Sequence, residues 1–238
     1  MEDLLELIRL LCAEHPWHRA QTHQTLKSSF IEETYEALDA IDRNDADGLC
    51  EELGDVLLQV VLHAQLEAQK GGFTFDDVCD GLCRKLIYRH PGFFDDQPRA
   101  ESAADIRQQW DRLKDAEKGI HTAAQDVRAV PESFPALLRA QKVCRRALRH
   151  GFGEADQAAV WRSVLSKAEA VADRGGADAG EMLQREYGEA LFALAAAGQL
   201  CGLNAEVALA DAVNAYIGQI EQAEQRTVVQ NGTATPAV

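Results

Sequence analysis

The sequence predicts an all-α protein, and three observations carry that prediction. Apolar residues recur at helical spacing through almost the whole chain, while alternating runs of the strand type are nearly absent. The six prolines fall at segment boundaries rather than inside the periodic stretches. Glycine- and aspartate-rich punctuation separates the segments. They group into two tandem helical-hairpin copies forming four-helix-bundle-type modules. The expected division is a first domain over 1–120, a second over 121–226 and a disordered tail over 227–238.

Each element has a local reason. The first helix, 2–14, opens on Met1-Glu2-Asp3-Leu4-Leu5-Glu6, which is acidic and amphipathic and unlike a signal peptide. Helix 26–43 carries Phe30, Ile31, Tyr35, Leu38 and Ile41, and helix 47–70 carries Leu53, Val56, Leu57, Val60 and Val61, all core-type residues. Between them, Asp42-Arg43-Asn44-Asp45-Ala46-Asp47-Gly48 is the only loop-like stretch, with Asp47 placed to cap the second helix. Gly71-Gly72 stops that helix, and Thr74 ahead of Phe75-Asp76-Asp77 caps the next, 75–89, which ends at His90-Pro91-Gly92. Ser102-Ala103-Ala104-Asp105 starts 102–118 in the manner of a capping box. Helix 133–149 ends at Gly151, and 157–174, 180–200 and 204–224 complete the set. From Thr227 to Val238 the residues are small and polar.

Two acidic motifs lie symmetrically about the loop, Glu32-Glu33-x-x-Glu36 before it and Glu52-x-x-Asp55 after it. In each, carboxylates three residues apart share one helix face. Glu36 and Glu52 are each eight residues from Asn44, and Glu33 and Asp55 each eleven. An antiparallel hairpin turning at Asn44 therefore sets 36 level with 52 and 33 level with 55, about 12–16 Å from the turn. Four carboxylates packed that closely repel one another unless a cation lies between them, which asks for a hard divalent metal. Charged residues at helical spacing are more often a solvated face; the mirror symmetry and the packing residues on the same helices weigh against that reading here.

Bulk properties narrow the function further. The chain has 238 residues, 46% of them hydrophobic, enough for a substantial core. A net charge of −15 argues against nucleic-acid binding and against adhesion to an anionic membrane. No run of 18 apolar residues is present to span a bilayer, and the protein reads as cytoplasmic. Its six cysteines (12, 50, 79, 83, 144 and 201) form no CxxC pair, so they read as small buried hydrophobes in a reducing compartment rather than zinc ligands.

The hairpin recurs at an offset of 134 residues. Glu52-Leu53-Gly54-Asp55 returns as Glu186-Tyr187-Gly188-Glu189, and the first motif lands on Ser166-Lys167-Ala168-Glu169-Ala170. Lys167 and Ala170 stand where Glu33 and Glu36 would be, so the second copy is not expected to bind metal.

With these motifs the chain resembles the MazG family of nucleoside triphosphate pyrophosphohydrolases, whose signature is EExxE followed by ExxD. The resemblance extends to His15-Pro16-Trp17-His18-Arg19-Ala20-Gln21-Thr22-His23, to Ile31 through Ala40, to Lys85-Leu86-Ile87-Tyr88-Arg89-His90-Pro91 with Phe94, and to Trp110-x-x-x-Lys114-x-x-Glu117. These elements occur in family order over residues 4–118, and the degenerate repeat carries the likeness to about 224. The resemblance implies hydrolysis of NTPs and dNTPs to the monophosphate and pyrophosphate in a helical homodimer, with Mg²⁺ or its substitute Mn²⁺. Glu33, Glu36, Glu52 and Asp55 would hold the metal; Glu32, on a neighbouring face, would orient water or merely be surface.

Lys85 and Arg89, an i, i+4 pair, are the expected grip on the β- and γ-phosphates, against the alternative of a basic helix C-terminus. Trp110 and Lys114 repeat the spacing, offering a ring for the base and an ammonium for phosphate; for Trp110 a core role is nearly as good a reading. Trp17 reads as packing. His63, which continues the Asp55 and Gln59 face, reads as a satisfied rim histidine, and His15, His18 and His23 are not read as a zinc site.

Some positions depart from the family pattern. His18 replaces Asp, Tyr88-Arg89 replaces a double arginine, residues 203–224 hold no Lys or Arg, and no Trp follows Trp161. The N-terminal copy is therefore the expected enzyme. The competing expectation is a nucleotide- or metal-binding module without turnover. A di-iron bundle is disfavoured because neither motif is Glu-x-x-His.

Overall fold

The computed structural model describes residues 2–94, 102–173 and 180–232, and every regular element among them is a helix. In chain order these are α1 (Glu2–Glu14), α2 (Pro16–Arg19), α3 (Lys27–Asp42), α4 (Ala46–Ala68), α5 (Phe75–Arg89), α6 (Ala103–Glu117), α7 (Ala123–Arg128), α8 (Ala136–Arg149), α9 (Gln157–Asp173), α10 (Gly180–Leu200) and α11 (Ala205–Gly232). The chain divides into two compact units, Met1–Leu113 and Lys114–Val238.

Caps explain most boundaries. Asp45, not Asp47, caps α4: its side chain accepts from the Gly48 N–H at 2.9 Å, while Asp47 sits in the first turn, where the helix dipole favours an acid. A Cβ at Gly48 would lie 2.6 Å from Asp45 Oδ2, so a larger residue there would have to move the capping carboxylate. Thr74 and Asp77 form a reciprocal capping box on α5, and Asp105 N–H donates to Ser102 Oγ at 3.1 Å ahead of α6.

Two helices and two boundaries differ from the sequence expectation. The short helices α2 and α7 were not anticipated, although Pro16 at the first position of one and the Thr122–Gln125 capping box of the other are legible signals. Helix α8 begins at Ala136 because Pro135 holds extended backbone before it. Helix α11 continues to Gly232, with no proline or glycine between 224 and that residue to stop it; 233–238 of the expected tail lie outside the described residues.

In the first unit α4 is the axis. It packs against α3, α1 and α5, around a core of Ile8, Cys12, Leu26, Val61, Leu62 and Leu66. In the second unit α10 takes the same place, packing against α9, α8 and α11. An offset of 134 carries α1 onto α8, α3 onto α9, α4 onto α10 and α5 onto α11, so the repeat seen in one motif extends to helix order and pairing. Buried Gln141 ties this second bundle: its Nε2 donates to Leu203 O at 2.9 Å and its Oε1 accepts from Ala205 N–H at 2.9 Å, fixing the corner between α10 and α11. No single helix is long and apolar enough to cross a membrane; α10 and α11, which together would be, are bent through 107° at that corner.

Two expectations about burial need correction. Only Cys12 and Cys144 are buried; Cys50, Cys79 and Cys83, on outward helix faces, and Cys201, in the turn after α10, are exposed free thiols. On α3, Phe30, Ile31, Tyr35, Leu38 and Ile41 are all exposed within one chain, and so is Leu53 on α4. The small residues Ala37 and Ala40 make the buried side of α3 instead.

Candidate functional site

The site begins with the turn. Asn44 adopts φ 54°, a left-handed conformation that asparagine tolerates better than most residues, and reverses the chain between α3 and α4. The two helices then pack side by side, which brings the motifs face to face. Carboxylate oxygens of Glu33, Glu36 and Glu52 all lie within 4.8 Å of one another. Asp55 adjoins them closely enough that its charge acts on both Glu33 and Glu52. Glu32 is exposed, and its charge also reaches Glu33.

The electrostatics are those of an uncompensated cluster. The Glu33 carboxyl is pushed above its ordinary value, first by burial and then by the charges of Asp55, Glu36 and Glu32; a hydrogen bond from Gln59 pulls the other way. Partial desolvation and then Glu36, Glu51, Asp55 and Glu33 do the same to Glu52. Among the described residues, no lysine or arginine is among the groups acting on either carboxylate. All-oxygen donors at this spacing, raised by mutual repulsion, suit a hard divalent cation.

The equivalent place in the second unit is chemically opposite. Lys167, at the counterpart of Glu33, has its Nζ 2.7 Å from Oε2 of Glu189, at the counterpart of Asp55, and Arg185 Nε lies 3.2 Å from the other oxygen. Hydrogen bonds from Lys167 and then Arg185 hold Glu189 below its ordinary value. An internal cation stands where, among the described residues, the first unit has none.

The predicted substrate residues divide. Lys85 is half-buried on α5. Arg89 is 8% exposed, and its guanidinium lies over the Trp110 ring, 5.3 Å from the centroid, with His90 edge-on at 5.0 Å. A Trp110 face expected to receive a base is thus covered by an arginine expected to receive phosphate. Lys114, one turn further along α6, is the first residue of the second compact unit. Trp17 is 55% exposed rather than packed, with His18 against its edge at 4.8 Å.

Sequence reasoning missed one connection. His23 Nδ1 lies 2.7 Å from His63 Nδ1, and its Nε2 lies 2.6 Å from Glu67 Oε1, so the loop before α3 is tied to α4. This takes His63 as a partnered histidine and separates His23 from His15 and His18, whose Nδ1 atoms are 3.3 Å apart. Gln59, 4% exposed one turn beyond Asp55, reaches Glu33 and was legible only as part of that face.

The fold and the site together define an all-helical protein bearing an uncompensated carboxylate cluster across a helical hairpin. Residues 21–94 match the MazG nucleotide pyrophosphohydrolase domain. A nucleoside triphosphate pyrophosphohydrolase of Escherichia coli strain K12 is 37% identical, over 88% of this chain and 80% of that protein. The nucleoside triphosphate pyrophosphohydrolase/pyrophosphatase MazG of Thermotoga maritima is 34% identical, over 94% and 85%. A nucleoside triphosphate pyrophosphohydrolase of Mycobacterium tuberculosis is 42% identical over 63% of this chain and 45% of its own length. The chain belongs to the MazG nucleotide pyrophosphohydrolase family.

Proposed function

We propose that the first unit hydrolyses nucleoside triphosphates, NTP or dNTP, to the monophosphate and pyrophosphate. The observation that carries this reading is the convergence of Glu33, Glu36 and Glu52, with Asp55 beside them, in a cluster with no cation of its own among the described residues. The activity in the names of its relatives supports it. Residues 1–120 form the catalytic domain on this reading, and 121–226 a degenerate copy whose Lys167 replaces a ligand.

Glu33, Glu36, Glu52 and Asp55 would hold Mg²⁺, or Mn²⁺ in its place. Such a cation supplies neutralisation of the nearly fourfold negative charge of a triphosphate. Glu32, exposed beside the cluster, takes the proton of the water that attacks the α-phosphorus. The new bond joins that oxygen to the α-phosphorus, the bridging bond to the β-phosphate breaks, and pyrophosphate leaves. Gln59 holds Glu33 in place from the buried side. Lys85 remains the lysine for phosphate on the first unit, while Arg89 and Trp110 enter only by parting from each other.

The test is pyrophosphate release from a panel of NTPs and dNTPs, with Mg²⁺ and with EDTA. Release abolished by EDTA supports the reading; silence across the panel from folded protein overturns it. A second reading, binding without turnover, is favoured by one observation: Arg89 is buried over Trp110. Mg²⁺-dependent nucleotide binding in calorimetry, with no product over hours, would establish that instead.

Metal binding has its own readout. Glu33 and Glu52 are raised in the folded state, so the folded chain holds protons there more tightly than the unfolded chain. Their contribution is favourable in acid and is lost as pH rises through the raised values, leaving net repulsion at neutral pH. In EDTA at pH 7.5, Glu33→Gln should therefore melt above wild type. Added Mg²⁺ should raise the wild-type Tm and leave the variant unmoved; a wild-type Tm indifferent to Mg²⁺ would overturn the metal assignment.

The chain is also proposed to act as a homodimer, in the cytoplasm and without nucleic acid, its charge of −15 giving such a polyanion no welcome. Ile31, Tyr35 and Leu38 form an exposed apolar stripe on α3, continued by Leu53 on α4, and a second copy would cover it. Tyr35→Glu should yield monomers in sedimentation velocity, while a wild type that is already monomeric would rule the dimer out.

A further inference from the structure

Asn44 closes one end of the α3–α4 hairpin by a covalent turn. At the other end the chain entering α3 is tied to α4 by His23, His63 and Glu67 alone among the polar contacts described above. The His23 and His63 rings are 3° from parallel, with centroids 5.0 Å apart and Nδ1 atoms 2.7 Å apart. Those three values are met together only when the rings lie edge to edge in nearly one plane, Nδ1 facing Nδ1. Two lone pairs repel at that distance, and so do two N–H groups, so the contact holds one proton. A metal ion in line there would need about 4 Å between the nitrogens, at about 2.0–2.1 Å for each bond.

The protons of the group can be counted. Hydrogen bonds from Lys70 and then His23 hold Glu67 below its ordinary value, so it is a carboxylate and His23 Nε2 carries the hydrogen between them. With the shared proton that makes two, and His63 Nε2 can take a third. A fourth has no place without setting N–H against N–H. The neighbours are few. Lys70 Nζ lies 2.9 Å from the same Glu67 oxygen, the Phe30 ring of α3 lies 5.7 Å from that of His63, and His23 is the one charge acting on His63 among the described residues.

The contact adjoins the carboxylate cluster without touching it. Phe30 stands one turn before Glu33 on α3, and His63 one turn beyond Gln59 on α4. Phe30 against His63 and Glu33 against Gln59 are therefore successive contacts across the hairpin, on the side away from Asn44. We propose that the proton shared by His23 and His63 latches the open end of the hairpin, that the latch positions Glu33 within the cluster, and that a second proton entering the contact opens it. The positioning half rests on the metal-holding reading of the cluster. Burial and then the charge of His23 hold His63 below its ordinary value. The stabilisation from a depressed histidine is full above its ordinary value, about 6.5, and is lost as pH falls through the depressed one, so the latch opens in mild acid.

The experiment uses the full chain, with Mn²⁺ alone as the probe. In EDTA at pH 7.5, long-range proton–nitrogen NMR spectra should show His23 protonated at Nε2 and one proton between the two Nδ1 atoms. Below about pH 6.5 that signal should vanish in one step, together with faster amide exchange over 21–26. His63→Leu and His23→Leu should each weaken Mn²⁺ binding at pH 7.5 about tenfold, read by electron paramagnetic resonance, the lower end of what losing support behind a metal ligand costs. His63→Asn, whose amide can donate or accept where Nδ1 stood, should keep the wild-type affinity and lose the acid step. A packing role predicts the reverse, with leucine tolerated and asparagine not. That reversal, wild-type affinity in both leucine variants, or imidazoles that titrate with no shared proton would overturn the proposal. A wild type that binds no Mn²⁺ would sink the metal reading instead, and the spectra and exchange would then decide the latch by themselves.

Discussion

Glu36→Ala should abolish pyrophosphate release, lowering the rate by at least about 100-fold, the upper end of what losing even an outer-sphere metal partner costs. The same variant should fold at least as well as wild type. Glu36 is exposed, alanine is the better helix former, and the Glu36 charge contributes to the repulsion on both Glu33 and Glu52. Loss of rate with unchanged or increased Tm is a combination that damage to the core does not produce. Glu186→Ala, at the counterpart of Glu52, should leave the rate unchanged, since Lys167 and Glu189 already neutralise each other there. Pyrophosphate release assayed with Mg²⁺ and thermal melts in EDTA read the two halves separately. Equal loss of rate in Glu36→Ala and Glu186→Ala would mean that the two units act together and would sink the division of roles.

The parts of this molecule legible in its sequence are those set by short-range chemistry. The turn at Asn44 and the Thr74 box needed only local signals, and the helical period did the rest. The acid cluster was legible for the same reason: two helices joined by a short loop leave one register, so the spacing fixed which carboxylates would meet. What escaped depends on contacts between segments remote in sequence. His23 meets Glu67 across 44 residues, and nothing near either one announces it. Arg89 looked like a phosphate ligand because i, i+4 spacing says which residues share a face, not what that face meets. The apolar stripe on α3 shows the same limit, since periodicity marks a face that needs covering without saying whether this chain covers it.

Asp126→Ala should destabilise the second unit by about 3–5 kcal/mol, the cost of removing one partner from a buried ionic network. Asp126 on α7 is fully buried, and its charge is met entirely from α8 and its C-terminal end. Arg146 Nη1 lies 3.2 Å from Oδ1 and donates to the Asp126 carbonyl at 2.5 Å; Arg149 pairs with Oδ2, and His150 Nε2 lies 3.1 Å from it. Arg149 also reaches Asp115 at 3.1 Å, so it keeps a partner, whereas Arg146, only 12% exposed, loses its carboxylate. Burial pushes the Asp126 carboxyl up, but the Arg149 hydrogen bond and charge, then His150 and Arg146, outweigh it and hold it below its ordinary value. A depressed folded value means the stabilisation is fully present above the ordinary aspartate range, near pH 4, and is lost as pH falls through the depressed value. Urea unfolding read by Trp161 emission, in a Trp17→Phe, Trp110→Phe background, isolates this unit because Trp161 is then its sole indole. Asp126→Asn, which keeps the shape and removes the charge, should lose most of the same stability and flatten the acid limb of the pH profile. A loss below about 1 kcal/mol in either variant would show that the arginines find solvent as readily as they find Asp126, and that the α7 contact is incidental to the bundle.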